Sequence, residues 1–306
     1  MKKNLLAIAA LAFVGAASAA PVGIASGAES GTNWPMAEDI KRVCSTPSSP
    51  ITNVKTPGGQ ANIFRVFNDP KTQYGIVPAD TAFYQRLEDE AAGGKMMDKI
   101  LMVFPFFSTE FHLIAKDGSP INNLADLQGK TVVEGPEGSA TFITVQLIKR
   151  LTGLQWNGVQ ASQTDGYKMV QGGQADAEFI VAGKPITMLQ TASGIKLVNI
   201  SHPKLDSFPM YEKVSLQVDG MYPFQKSAAG TYKVDNMLVT YAFKNQYQQE
   251  IGELVSCIAK NIGVLQQTGH AKWRDVNPSD ISRIKWEAHP AAVAAINKLS
   301  APAKKK

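Results

Sequence analysis

Four stretches of the chain repeat one order: an apolar run, a turn of small or polar residues, then a helical run. "PVGIAS" (21–26) leads through "GAESGTN" into a helix whose Met36, Ile40 and Val43 share one face. "YGIV" (74–77) leads through "PADT" into "AFYQRLEDEAA". "KTVVE" (130–134) leads through "GPEGSAT" into "FITVQLIKRL", which Gly153 stops. "AEFIVA" (177–182) leads through "GKP" into "ITMLQTA". Strands alternating with helices predict an α/β fold with a mostly parallel sheet flanked by helices. Further strands are expected at 51–56, 100–106, 111–116 and 195–200. A long helix is expected through 245–269, with Ile251, Leu254, Ile258 and Ile262 in one stripe, and a last helix at 290–301.

All four turns fall at carboxyl ends of strands, where open parallel sheets bind ligands. Two of them, 26–33 and 135–141, are Gly-rich and open helices. Unpaired N–H groups and the positive end of the helix dipole favour an anion there, and glycine lets a ligand reach the backbone. Such loops suit a small carboxylate held by main-chain amides and hydroxyls. Ser26, Ser30 and Thr32 are the candidates in the first loop, and Gly138, Ser139 and Thr141 in the second. Thr32 or Asn33 is expected to cap the first helix and Ser139 the later one. Asp80 is a ligand contact or the cap of its own helix. Lys184 follows a strand end, where it can pair with an anionic solute.

The first twenty residues, "MKKNLLAIAALAFVGAASAA", have two lysines, a short apolar run and small residues. They read as a secretory signal peptide over 1–19, cleaved after Ala19. Removing 19 of 306 residues leaves about 287, enough for two domains. The formal net charge is +5, with 31 Lys and Arg against 26 Asp and Glu, and three of the lysines end the chain at 304–306. No basic stripe interleaved with aromatics is present, so nucleic acid is not an expected partner. In an exported chain Cys44 and Cys257 form either one disulfide or two buried thiols; their spacing carries no metal signal.

Motifs for chemistry are missing. Ser201-His202-Pro203-Lys204 matches S-x-x-K, but the partner motifs of that enzyme class are absent and Pro203 interrupts it. There is no G-x-S-x-G, no H-E-x-x-H, and no G-K-[ST] ending to the Gly-rich loops. A non-enzyme without cofactor or metal is expected, with a periplasmic hydrolase as the remote alternative.

"LADLQGK" (124–130) resembles the "LADLKGK" signature of type II periplasmic binding proteins. Within that superfamily the chain resembles the TRAP-associated extracytoplasmic immunogenic (TAXI) family of solute receptors. "IASGAESGTNWPMAEDI" (24–40) is similar to that family's "IGTGGTGGVYYPLGGAI", "YGIVPADTAFY" to "LGIVQSDVAYY", "IVAGKP" to "FVGGKP", and "WEAHPAAVAAI" to "PLHPGAIRYY". The resemblance implies two lobes, one of 21–106 plus 212–306 and one of 107–211, crossing near 104–112 and 200–215. It implies a glutamate-like or 2-oxoglutarate-like acid or amino acid closed between them and delivered to a TRAP-type permease. Another transporter or a sensor kinase is the alternative partner. It brings Gly183 and Tyr222 to the cleft; Asn62 in "GGQANIF" is a further candidate to face it, and Phe106 and Phe107, near the expected crossing, are candidates for an aromatic floor. Glu29 stands where the family usually has Thr, Asn33 and Trp34 replace two tyrosines, and Pro78-Ala79 replaces Gln-Ser. An acid at Glu29 either turns away from a bound carboxylate or meets an ammonium group.

Overall fold

The alternation builds one ten-stranded sheet in the computed structural model, which describes residues 21–242 and 247–300. The expected signal peptide and the lysines at 304–306 lie outside the described residues. In chain order the elements are β1 (Val22–Gly27), α1 (Asn33–Cys44), β2 (Ile51–Lys55), α2 (Gly59–Asn68), β3 (Thr72–Pro78), α3 (Ala79–Ala91) and β4 (Ile100–Lys116). Next come β5 (Thr131–Val133), α4 (Ala140–Thr152), β6 (Asn157–Val159), α5 (Gln163–Gly172), β7 (Ala177–Ala182) and β8 (Ile195–Leu197). Then follow α6 (Pro203–Asp206), β9 (Tyr211–Leu216), β10 (Ala229–Tyr241), α7 (Gln248–Lys260), α8 (Ile262–Thr268) and α9 (Pro290–Ser300).

The strand order is β2-β1-β3-β10-β4-β7-β5-β6, with β9 added to β10 and β8 to β4. β1 runs parallel to β2 and β3, and β5 parallel to β6 and β7. β10 and β4 run antiparallel to each other and to their outer neighbours β3 and β7. The two are long because each serves both ends. Phe104 of β4 pairs with Leu238, and nine residues on, Leu113 pairs with Phe179. The chain passes between the halves of the sheet on β4 and β10. Tyr211, Tyr232 and Val234 join Phe111 and Leu113 in one cluster, which also holds Val77 and Met237 of the first half.

Side chains alternate across the sheet, and the core follows. Val77, Met237, Phe111 and Phe179 face one side, in an apolar cluster that runs unbroken from Ile63 and Val66 of α2 to Val145 and Ile148 of α4. Ile76, Leu238 and Phe104 face the other side of the first half, under α1, α7 and α9. Ile114, Ile180 and Val133 face the same way in the second half, against Val170 of α5.

Several elements differ from expectation. The strands at 100–106 and 111–116 are one strand of 17 residues. Pro105, which has no N–H for the ladder, sits beside a register shift. The long helix expected through 245–269 is two helices. Asn261 separates them, its side-chain amide donating to the Cys257 carbonyl at 2.9 Å in competition with the helical ladder. "ITMLQTA" forms only a 3-10 turn, Thr187–Thr191. Of the two fates open to the cysteines, the structure has the disulfide, joining the end of α1 to α7.

One buried carboxyl makes stability depend on pH. Glu178 of β7 is 1 % exposed, its Oε2 has no partner, and Gly166 of α5 lies directly over it. Burial raises its pKa from 4.5 to about 9. Below pH 4.5 the group is neutral folded and unfolded and costs nothing. Between 4.5 and 9 only the unfolded chain ionises, so stability falls by about 1.4 kcal/mol per pH unit. Glu178→Gln is therefore expected to gain about 3 kcal/mol over the native chain at pH 7 relative to pH 4. Urea unfolding at the two pH values measures this; an equal difference at both would show that Glu178 is ionised in the folded protein.

Candidate functional site

The two Gly-rich turns come together. The turn after β1 and the loop after β5 face each other over a cavity of about 130 Å3, at the carboxyl ends of the parallel strands. That is well above the roughly 10–15 Å3 a cavity needs to admit a single water. Ser26, Ser30, Thr32, Asn33, Ser139 and Thr141 all line it. Ser26 Oγ donates to Asn53 Oδ1 at 2.6 Å, Ser139 Oγ caps α4 by accepting from the Phe142 N–H at 3.1 Å, and Thr141 Oγ1 accepts from the Val181 N–H at 3.0 Å. Thr32 stands at the start of α1 but does not cap it; its hydroxyl accepts from the Gly183 N–H, 3.1 Å away in the other half.

The remaining candidates do not line this cavity, each for a visible reason. Glu29 turns outward to the mouth of the cleft and pairs with Lys55 at 2.9 Å, both side chains exposed. Asn62 is fully buried; it donates to the Ser26 and Ile76 carbonyls at 3.1 and 2.7 Å and so ties α2 to β1 and β3. Asp80 is fully buried at the start of α3, where it accepts from Thr144 Oγ1 at 2.7 Å and Tyr211 Oη at 3.0 Å; burial raises its pKa against the pull of these bonds. Phe106 packs at a tilt against both Phe107 and Trp273 in the core of the first half. Gly138 and Gly183 act through the main chain, Gly138 accepting from the Ala61 N–H at 3.4 Å. The Lys184 N–H donates to Glu110 Oε2 at 3.0 Å, and Lys184 lines a separate small pocket with Tyr222 and Asp219. Tyr222 is buried with His112. Burial holds the imidazole down to about 4, hence neutral, and its Nε2 lies 3.0 Å from the Tyr222 hydroxyl. That hydroxyl accepts from the Ile186 N–H at 3.0 Å.

Residues from four further elements, missed in the sequence, complete the cleft. Pro57, Gly58 and Gly59 bring the start of α2 to it, Thr109 comes from β4, Ser162 and Gln163 from the start of α5, and Asn236 from β10. The glycine pair in "TPGGQ" was the readable signal. Gly59 has φ +35°, and a Cβ there would lie 2.8 Å from the Ala140 nitrogen, so only glycine lets α2 approach α4 this closely. A polar residue inside the apolar run "NMLVTY" was the signal for Asn236.

The two halves touch across the cleft through Thr32 and Gly183, Ala61 and Gly138, and Asp80 and Thr144. Beside it lies a buried ion pair: Lys272 Nζ is 2.8 Å from Glu110 Oε1, with side chains 3 % and 7 % exposed. No Asp, Glu, Lys, Arg or His lines the cavity itself. Its field comes from helix starts. α1 and α2 both begin there without a side-chain cap, leaving first-turn N–H groups for a guest. Among the described residues there is no cluster of His, Cys, Asp and Glu able to hold a metal, and no helix long and apolar enough to cross a membrane.

Residues 24–295 match the NMT1-like family. The fold is similar to that of a protein assigned as the periplasmic sulfonate-binding protein SsuA of a sulfonate ABC transporter from Methylobacillus flagellatus KT. That likeness has 14% identity and TM-score 0.52, over 94% of this chain and 99% of that one. It is also similar to a structure described as a periplasmic transporter, with 15% identity and TM-score 0.56 over 93% and 97% of the two chains. A third likeness is to a structure concerned with glutathione import via GshT and the cystine ABC importer TcyBC of Streptococcus mutans. It has 13% identity and TM-score 0.51 over 86% and 100%. At these identities the likeness is one of fold: the chain has the α/β architecture of periplasmic binding proteins.

Proposed function

The chain belongs to the NMT1-like family, and on that premise we propose that it is an exported solute receptor that closes on a small organic acid or amino acid. The observation that carries this reading is the cleft: two helix starts without side-chain caps open into it, hydroxyls line it, and no charged side chain does. Main-chain N–H groups there recognise an anion without performing chemistry on it. No nucleophile stands beside a base in the cleft, which favours binding over catalysis.

Residues 1–19 direct export to the periplasm and are then removed. The lobes are 21–106 with 212–306, and 107–211. Hinge motion on β4 and β10 opens and closes the cleft. The TAXI resemblance of 24–40 and of "YGIVPADTAFY", "IVAGKP" and "WEAHPAAVAAI" supports delivery to a TRAP-type permease. A second reading, service to an ABC importer, is favoured by the company of the fold among ABC-linked binding proteins. Uptake that survives ATP depletion and stops when the ion gradient is collapsed supports the first; the reverse supports the second.

Thermal unfolding of the mature chain against amino acids, hydroxy acids, oxo acids, dicarboxylates and sugars tests the receptor reading. A solute at about 100 times its Kd stabilises by about 2.7 kcal/mol, a shift on the order of 5 °C. A shift without product formation supports a receptor. Turnover of the stabilising compound would make the protein an enzyme, and no shift with any acid overturns the small-acid assignment.

A further inference from the structure

We infer that Asn236 and Asn33 make the receptor select an acid carrying an N–H or O–H donor over the 2-oxo acid of the same skeleton. The inference rests on the receptor reading above and adds the solute's second recognition feature.

Asn236 is fully buried on β10 and lines the cleft beside Thr109. Its Nδ2 donates to the Phe107 carbonyl and to Thr109 Oγ1, both at 3.2 Å. A carbonyl oxygen only accepts, so the bond to Phe107 fixes which way round the amide sits. Oδ1 then points away from Phe107 and has no partner. Asn33 Oδ1, at the opening of α1, is likewise buried and without a partner, and Asn33 lines the same cleft. Of the side chains with such unpaired buried atoms among the described residues, these two are the ones in the cleft. Both unpaired atoms are acceptors. A buried acceptor left unmatched is costly, and a donor on the guest removes that cost.

The starts of α1 and α2 make the complementary demand, since their N–H groups need an acceptor with negative charge. One small guest meets both: a carboxylate on the helix starts and an amino or hydroxyl group on the asparagine oxygens. Amino acids and hydroxy acids share this chemistry. A 2-oxo acid offers another acceptor where a donor is required, and sites built around such a group discriminate strongly against analogues lacking it.

The test uses the mature chain, freed of carried-over solute by unfolding and refolding in denaturant without reductant. Calorimetric titration compares L-glutamate with 2-oxoglutarate, L-glutamine with 2-oxoglutaramate, and both L-alanine and L-lactate with pyruvate. Within any pair that binds, the donor-bearing acid is expected to bind at least tenfold tighter than its oxo counterpart. Alanine against lactate tells an amino from a hydroxyl donor. Asn236→Ala is expected to bring the ratio toward one. Asn33→Ala, at a less buried site, is expected to do the same without disturbing β10. A purely structural role would weaken both members alike and leave the ratio unchanged in both variants, overturning the inference while leaving the receptor reading intact. An oxo acid that binds as tightly as its partner overturns it in the same way. Failure of every acid to bind overturns the receptor reading and the inference together.

Discussion

Replacing Cys44 and Cys257 with serine is expected to lower the unfolding free energy by about 5 kcal/mol. The bridge spans 213 of the chain's 306 residues. Loop-closure entropy in the unfolded state grows with the logarithm of that span, so this bridge stands near the top of the usual range. The folded state has little to lose, because α1 and α7 are already held by Ile40, Ile251, Leu254 and Ile258 in one apolar cluster. Neither cysteine lines the cleft, so solute affinity is expected to be unchanged. Urea unfolding of the native and double-serine chains measures the difference. A loss below about 1 kcal/mol would mean that the unfolded chain already keeps the α1 and α7 regions together.

Lys272→Met is expected to cost about 3–5 kcal/mol, because it leaves Glu110 buried without its cation. Asp275, half exposed and 2.9 Å from Lys272, cannot substitute for it, being an acid itself. Glu110→Gln is expected to be less harmful, since Asp275 still partners Lys272. The double variant is expected to recover most of the loss, and a double-mutant cycle in unfolding free energy isolates the pair. Glu110 also takes the Lys184 N–H through Oε2, so it holds a turn of the second half to a lysine of the first. Its removal is therefore also expected to speed solute release. Strictly additive single variants would show that the pair contributes no coupling.

What was legible in the sequence were the segments whose local chemistry is self-sufficient. β1 with its glycine-rich turn, β3, α4 with its Ser139 cap and Gly153 stop, and β7 all carry their pattern within a dozen residues. Their likeness marks the two loops as partners, and Ser26, Ser30, Thr32, Asn33, Ser139 and Thr141 do share one cavity. Lost were features decided at a distance. α2 begins with two glycines that look like a turn until α4 is laid against it. Asn62, Asp80 and Tyr222 are polar residues with the right neighbours in sequence, but burial turns each to a main-chain or hydroxyl partner that no spacing reveals. Lys184 follows its strand as expected, but it lines a separate small pocket with Asp219 and Tyr222.

β10 lies between β3 and β4 in the sheet yet is made from residues 229–241. A chain emerging from its N-terminus thus builds β1, β2 and β3 long before the strand that joins them to β4 exists. Until then β3 and β4 each present an open edge, and the central contacts are among the most distant in sequence. Completion waits until about three-quarters of the polypeptide has been made. A nascent chain with this strand order stays unlocked through most of its synthesis. That delay makes the exposed edges of β3 and β4 the segments that most need a chaperone's cover.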